Sequence, residues 1–188
     1  MTQFQITPPE LMPISLERAR LALRMDDDDT HLDEEIEDFI VGVAQELENT
    51  IGQSVMVQTW RVKSDGWGDD GFQLPHPARS LVSVTYRAEN GASVVLDPSS
   101  YRIIVERYES SLVAAAGVTL PVTDGSADAV TIDVVVGMAS TQAEVPPAIR
   151  LYLRQRIKQQ FDPAARMERD TVQSNYTEDL LQQFKVKP

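Results

Sequence analysis

Residues 30–51 read THLDEEIEDFIVGVAQELENTI. Leu32, Ile36, Phe39, Ile40, Val43, Leu47 and Ile51 recur at the spacing that gathers side chains on one face of an α-helix. Asp33, Glu34, Glu35, Glu37, Asp38, Glu46 and Glu48 fall on the other face. The pattern predicts a long amphipathic helix, one side of which needs apolar partners while the other is solvated. Thr30 followed by Asp33 suggests a capping box at its start, and Gly52 is placed to stop it.

Upstream, Ser15 is a candidate N-cap for a shorter helix over 15–24, and the run Asp26 to Asp29 forms an acidic turn between the two. Pro8, Pro9 and Pro13 discourage helix in residues 1–14, which read as an extended arm. Downstream of Gly52 the signals turn to β. Val55 to Lys63, Phe72 to Leu74, Leu81 to Tyr86, Ser93 to Leu96, Tyr101 to Val105, Leu112 to Ala115 and Val130 to Val136 are short strands separated by turn residues. Glu89-Asn90-Gly91-Ala92 is the strongest hairpin turn. Helical spacing returns over 146–161, where Ile149, Tyr152, Leu153, Ile157 and Phe161 share a face. The fold class expected is α+β: a small helical bundle of two N-terminal helices and one C-terminal helix, with an antiparallel sandwich or barrel-like region inserted at 55–137.

These elements occur in an order that resembles the head–tail connector (head-completion or adaptor) proteins of tailed bacteriophages. The resemblance rests on Leu16, Ala19 and Leu23, on Asp26 to Asp29, and on Thr50-Ile51-Gly52. It continues through Gln58-Thr59-Trp60, Leu74-Pro75, Ser80-Leu81-Val82-Ser83-Val84, Tyr86, Gly91, Leu96, Tyr101 and Val145-Pro146, covering roughly residues 15–160. The chain departs from the family at Leu120-Pro121, where an aromatic-Pro pair is expected, and at Val136-Gly137-Met138, where the last strand ordinarily ends in Ala-Gly-Tyr. Residues after Phe161 have no match. The resemblance implies a connector domain at 15–162, a C-terminal tail at 163–188, and a place at the neck of a virion assembled in the host cytoplasm. It further implies a ring of about twelve copies that binds a portal protein, lengthens the DNA channel, passes DNA without sequence-specific binding, and meets a downstream neck or tail protein.

Composition agrees with a non-enzymatic assembly protein. The 188 residues are 42% hydrophobic and 24% charged, contain no cysteine, and hold no apolar run near the roughly 18 residues of a membrane span. No membrane partner is expected. The net charge of -12 argues against a surface that grips nucleic acid throughout. Charge is also unevenly spread: residues 1–54 carry thirteen acids against three bases, whereas residues 146–188 carry five acids against eight bases. Solvated helix faces would explain this, and so would contact between the basic end of one subunit and an acidic surface on another protein.

No catalytic, cofactor or metal site is expected. His31 and His76 are the only histidines, both read as surface residues, and no phosphate loop, dinucleotide fingerprint or nucleophile elbow is present. Asp26 to Asp29 cannot all converge on one cation and lack an EF-hand glycine, so they read as a solvated capping turn with a metal site as the rival. Asp65-Gly66-Trp67-Gly68-Asp69-Asp70 breaks the calcium pattern at Trp67. Trp60 reads as core, and Trp67, in a turn, as either a loop tip or an interface anchor.

The candidate partner-contacting residues are therefore Trp67, the basic row Arg150, Arg154 and Lys158, and Arg166, Arg169, Tyr176, Leu180, Leu181 and Phe184 of the tail. Asp33, Glu34, Glu37, Asp69 and Asp70 are candidates for an acidic channel wall. Two rival functions remain. One is an acidic DNA mimic using carboxylates of residues 26–48, and the other a small hydrolase using paired acids such as Glu106 and Glu109.

Overall fold

The computed structural model describes residues 1–26, 30–68, 71–161 and 179–186. The chain divides into two compact units, a β unit of Met1–Glu10 and Val57–Gly137 and a helical unit of Leu11–Met56 and Met138–Pro188.

In the helical unit, α1 spans Leu16–Leu23, α2 Asp33–Ile51 and α3 Pro147–Phe161, and each packs on the other two. Ser15 caps α1 as expected, its Oγ accepting the Arg18 N–H at 3.2 Å. Gly52 closes α2 in the left-handed region (φ 68°), its N–H donating to the Glu48 carbonyl at 2.8 Å. The capping box at Thr30 does not form. Leu32 occupies the N-cap without a side-chain bond, and the Asp33 carboxylate is held instead by Arg20, with Nε to Oδ1 at 2.7 Å. That ion pair ties α1 to the start of α2.

Ala19 of α1, Ile36, Ile40, Val43, Leu47 and Ile51 of α2, and Ile149, Tyr152, Leu153 and Ile157 of α3 form one buried cluster. Removing each large aliphatic group from water stabilises the unit by about 1.5–3 kcal/mol. Phe39 meets Phe161 edge to face, with ring centres 6.3 Å apart. Arg156 of α3 bonds Glu46 of α2 beside this core.

The β unit has two antiparallel sheets. Five strands run in the order β1 (Thr2–Thr7), β2 (Gln58–Ser64), β8 (Val130–Val136), β4 (Ala78–Arg87), β5 (Ser93–Val95). Three more run β3 (Phe72–Leu74), β7 (Ser110–Ala114), β6 (Tyr101–Val105). Both sheets end in open edges, so there is no closed barrel. Central β8 alternates strictly: Val130, Ile132, Val134 and Val136 are fully buried, and Thr131, Asp133 and Val135 are partly exposed. Directly across from Asp133, Arg61 of β2 makes two bonds to its carboxylate at 2.7 and 2.8 Å. Phe72, Leu74 and Leu112 of the smaller sheet join Val62, Val84 and the β8 residues in one core.

Within the expected extended arm, Thr2–Thr7 pairs along β2 as an edge strand. The alternation Thr2-Gln3-Phe4-Gln5-Ile6-Thr7 satisfies a ladder before the prolines begin. Phe72–Leu74 forms a short strand as expected and pairs with β7, where Phe72 and Leu74 both reach the core.

Candidate functional site

His76 is not a surface residue. It is 9% exposed, and its Nδ1 lies 2.8 Å from Ser110 Oγ, itself fully buried. That hydroxyl also accepts the Ala78 N–H at 2.9 Å. Burial pushes the His76 pKa down, outweighing backbone hydrogen bonds with Glu109 and Arg107. The shared Ser110 hydroxyl thereby joins the start of β4 to β7.

Glu106 and Glu109, the candidate hydrolase pair, are both exposed on the turn joining β6 and β7, where the Glu106 N–H donates to the Glu109 carbonyl at 2.9 Å. No group of three or more potential metal ligands occurs among the described residues. Asp27, Asp28, Asp29, Asp69 and Asp70 lie outside them. Among the described residues, no helix is long and apolar enough to cross a membrane.

Trp67 is half-buried and committed to its own unit. Its ring packs edge on against Phe72 at 5.9 Å and tilted against Tyr86 at 5.8 Å, and Nε1 donates to the Pro121 carbonyl at 2.6 Å. It closes one side of a cavity of about 650 Å³ lined by Leu96, Tyr101, Leu112 and Leu120. Among the described residues its lining is otherwise apolar or neutral, and Tyr101, whose pKa burial pushes up, is the titratable side chain there. Trp60 also packs on the β core, as expected.

The tail residues divide. Arg166, Arg169 and Tyr176 lie outside the described residues. Residues 179–182 make a helical turn that buries Leu181 to 1% exposure in the helical core, with Phe184 packed against the same cluster and Leu180 half-buried. The Gln53 side-chain amide donates to the Phe184 carbonyl, and the Val186 N–H to the Ile51 carbonyl. The expectation that Leu181 holds its apolar surface for a partner is corrected, while Phe184 stays partly exposed. The helical unit itself supplies the surface that so short an amphipathic stretch needs.

The basic row behaves differently. Arg150 is half-buried, its guanidinium donating to the Ala143 carbonyl at 3.3 Å, whereas Arg154 and Lys158 are exposed. These last two line a groove of about 680 Å³ between α1 and α3, opposite Arg18 and Glu17, with Leu21 and Leu151 on its apolar part. Leu21 is 61% exposed. Sequence reasoning found the α3 half of this groove but not the α1 half, since nothing local brings Leu21 to Arg154. Of the acidic candidates, Asp33 is engaged by Arg20, while Glu34 and Glu37 are exposed.

Neither a family model nor a curated protein matches the sequence. Solved structures do match it. A chain of the neck of an empty gene transfer agent (GTA) particle, computed with C6 symmetry, superposes with a TM-score of 0.81 at 15% identity, covering 100% of this chain and 97% of that one. A chain of the virion of a native GTA particle gives 0.81 at 14% identity, and one of a native GTA neck with C12 symmetry gives 0.73 at 16%, with the same coverage. From end to end, this protein has the fold of a chain found in the neck of gene transfer agent particles.

Proposed function

We propose that the protein is a structural subunit of a virion neck: a ring-forming head–tail connector that binds the portal, extends the DNA channel and offers a platform to the tail. The observation that carries this reading is the match over 100% of the chain to a chain of a particle neck at a TM-score of 0.81. The C6 and C12 symmetries of those necks favour several copies around an axis. Surface chemistry is consistent with assembly rather than turnover. Among the described residues the acids are exposed or engaged in ion pairs, except Glu48, whose carboxylate accepts the Val55 N–H, and the buried histidine is used to join strands.

Purified protein mixed with the portal of the same particle tests the reading. Light scattering and electron microscopy should show portal-bound rings, and particles made without the gene should fill heads that never acquire tails. A protein that ignores the portal, or whose loss leaves tailed infectious particles, is not a connector. A monomer or dimer that displaces DNA from another protein would instead support the acidic-mimic function.

A further inference from the structure

Two surfaces of the helical unit are complementary. The groove between α1 and α3 has an apolar part, Leu21 and Leu151, flanked by Arg18, Arg154 and Lys158 against the single acid Glu17. The outer stripe of α2, the side turned from its buried residues, presents Glu34, Asp38, Val41, Gly42 and Gln45, all exposed. It carries two carboxylates, with the exposed Glu35 and Glu37 beside them, and a single aliphatic group at its centre, Val41 at 38% exposure. The basic rim meets acids, and the apolar groove meets Val41.

Gly42 supplies a separate indication. It lies within a 19-residue helix, where glycine is less stable than alanine, and a Cβ built there would meet nothing within 4 Å. Among the described residues nothing calls for its missing side chain. A second helix pair seated on this stripe would, because a glycine lets backbones approach closely.

Resting on the connector reading, we propose that the ring contact is made by the α2 outer stripe of one copy seated in the α1/α3 groove of the next. The occupant is a second copy of this chain, chosen by charge complementarity. No α2 residue lines the groove, so the contact joins two different patches and is head to tail, the kind that closes into a ring when the rotation allows. Glu34 and Glu37 then belong to the subunit contact and not to the channel wall.

The chain's lack of cysteine makes a clean test. Full-length protein carrying Leu21→Cys and Val41→Cys together, assembled with portal and treated with a short bismaleimide, should give a ladder of covalent oligomers. A mixture of the two single variants should stop at dimers. Arg154→Glu with Lys158→Glu, or Glu34→Lys with Asp38→Lys, should each weaken ring formation by about tenfold or more, and the chain carrying all four should recover it. Gly42→Ala should raise the thermal midpoint of the unassembled subunit by about 2–4 °C, while Gly42→Trp blocks rings without lowering that midpoint. Rings that form normally from wild-type protein, yet show no link between Leu21→Cys and Val41→Cys, overturn the docking and leave the connector function standing. So do reversed stripes that assemble fully but retain DNA poorly, which would return Glu34 to the channel. Wild-type protein that makes no ring with portal overturns the connector function itself.

Discussion

The backbone N–H of Val186 donates to the carbonyl of Ile51 at 2.8 Å, fastening the C-terminal stretch to the last turn of α2. Gly52 sits beside this contact in a left-handed conformation, and Leu181 fills the core beneath. The end of the chain is therefore part of the helical unit's stability.

Leu181→Ala should destabilise the helical unit by about 2–5 kcal/mol, the range for an aliphatic side chain removed from a packed core. Deletion of residues 179–188 should cost at least as much. Urea unfolding followed by circular dichroism measures both. A truncated protein with an unchanged midpoint would mean that the segment contributes no packing.

His76 sets a pH dependence. Burial depresses its folded pKa below the ordinary 6.5, so the unfolded chain takes up a proton more readily as pH falls. The stability this histidine contributes is complete above 6.5 and is lost progressively below it. His76→Gln should flatten that part of the stability profile. Ser110→Ala strands the Ala78 N–H and the His76 ring together and should cost about 1–3 kcal/mol. A profile between pH 5 and 7 unaltered by His76→Gln would refute the assignment.

Local signals in the sequence carried most of the elements. Strands β6 and β8 occupy the ranges their alternation predicts, Tyr101–Val105 and Val130–Val136, and Ser15 and Gly52 bound helices as their chemistry requires. What stayed hidden depends on partners far away in the chain. Phe72–Leu74 looks the same whether it pairs with β2 or β7, and only the fold brings Ser110 to His76. Leu181 was legible as an amphipathic position, but its neighbour across the core was not. The groove was half visible for the same reason, since Arg154 and Lys158 are spaced by one helical turn while Leu21 and Arg18 arrive from α1. The edge strand Thr2–Thr7 did carry a signal, the alternation ahead of Pro8, which the later prolines obscured.

The Arg20 and Asp33 ion pair should be worth about 1 kcal/mol, because both side chains keep partial access to water. A double-mutant cycle with Arg20→Ala and Asp33→Ala isolates it. High salt should reduce the coupling. Zero coupling at low salt would leave the orientation of α1 to apolar packing alone.

Gly71 offers the opposite case to Gly42. Its φ of 93° lies where only glycine is at ease, and a Cβ there would stand 2.4 Å from the Leu112 carbonyl oxygen. That oxygen belongs to the backbone of β7 and cannot turn aside as a flexible side chain would. Gly71→Ala should therefore cost about 1–3 kcal/mol in backbone strain alone, loosening the segment that holds Trp67 against Phe72. Tryptophan fluorescence should shift to longer wavelength as the Trp67 ring gains water, and amides of β3 and β7 should exchange faster than those of β8. If Gly71→Ala melts at the wild-type temperature with unchanged fluorescence, the close approach of this loop to Leu112 is not part of the fold.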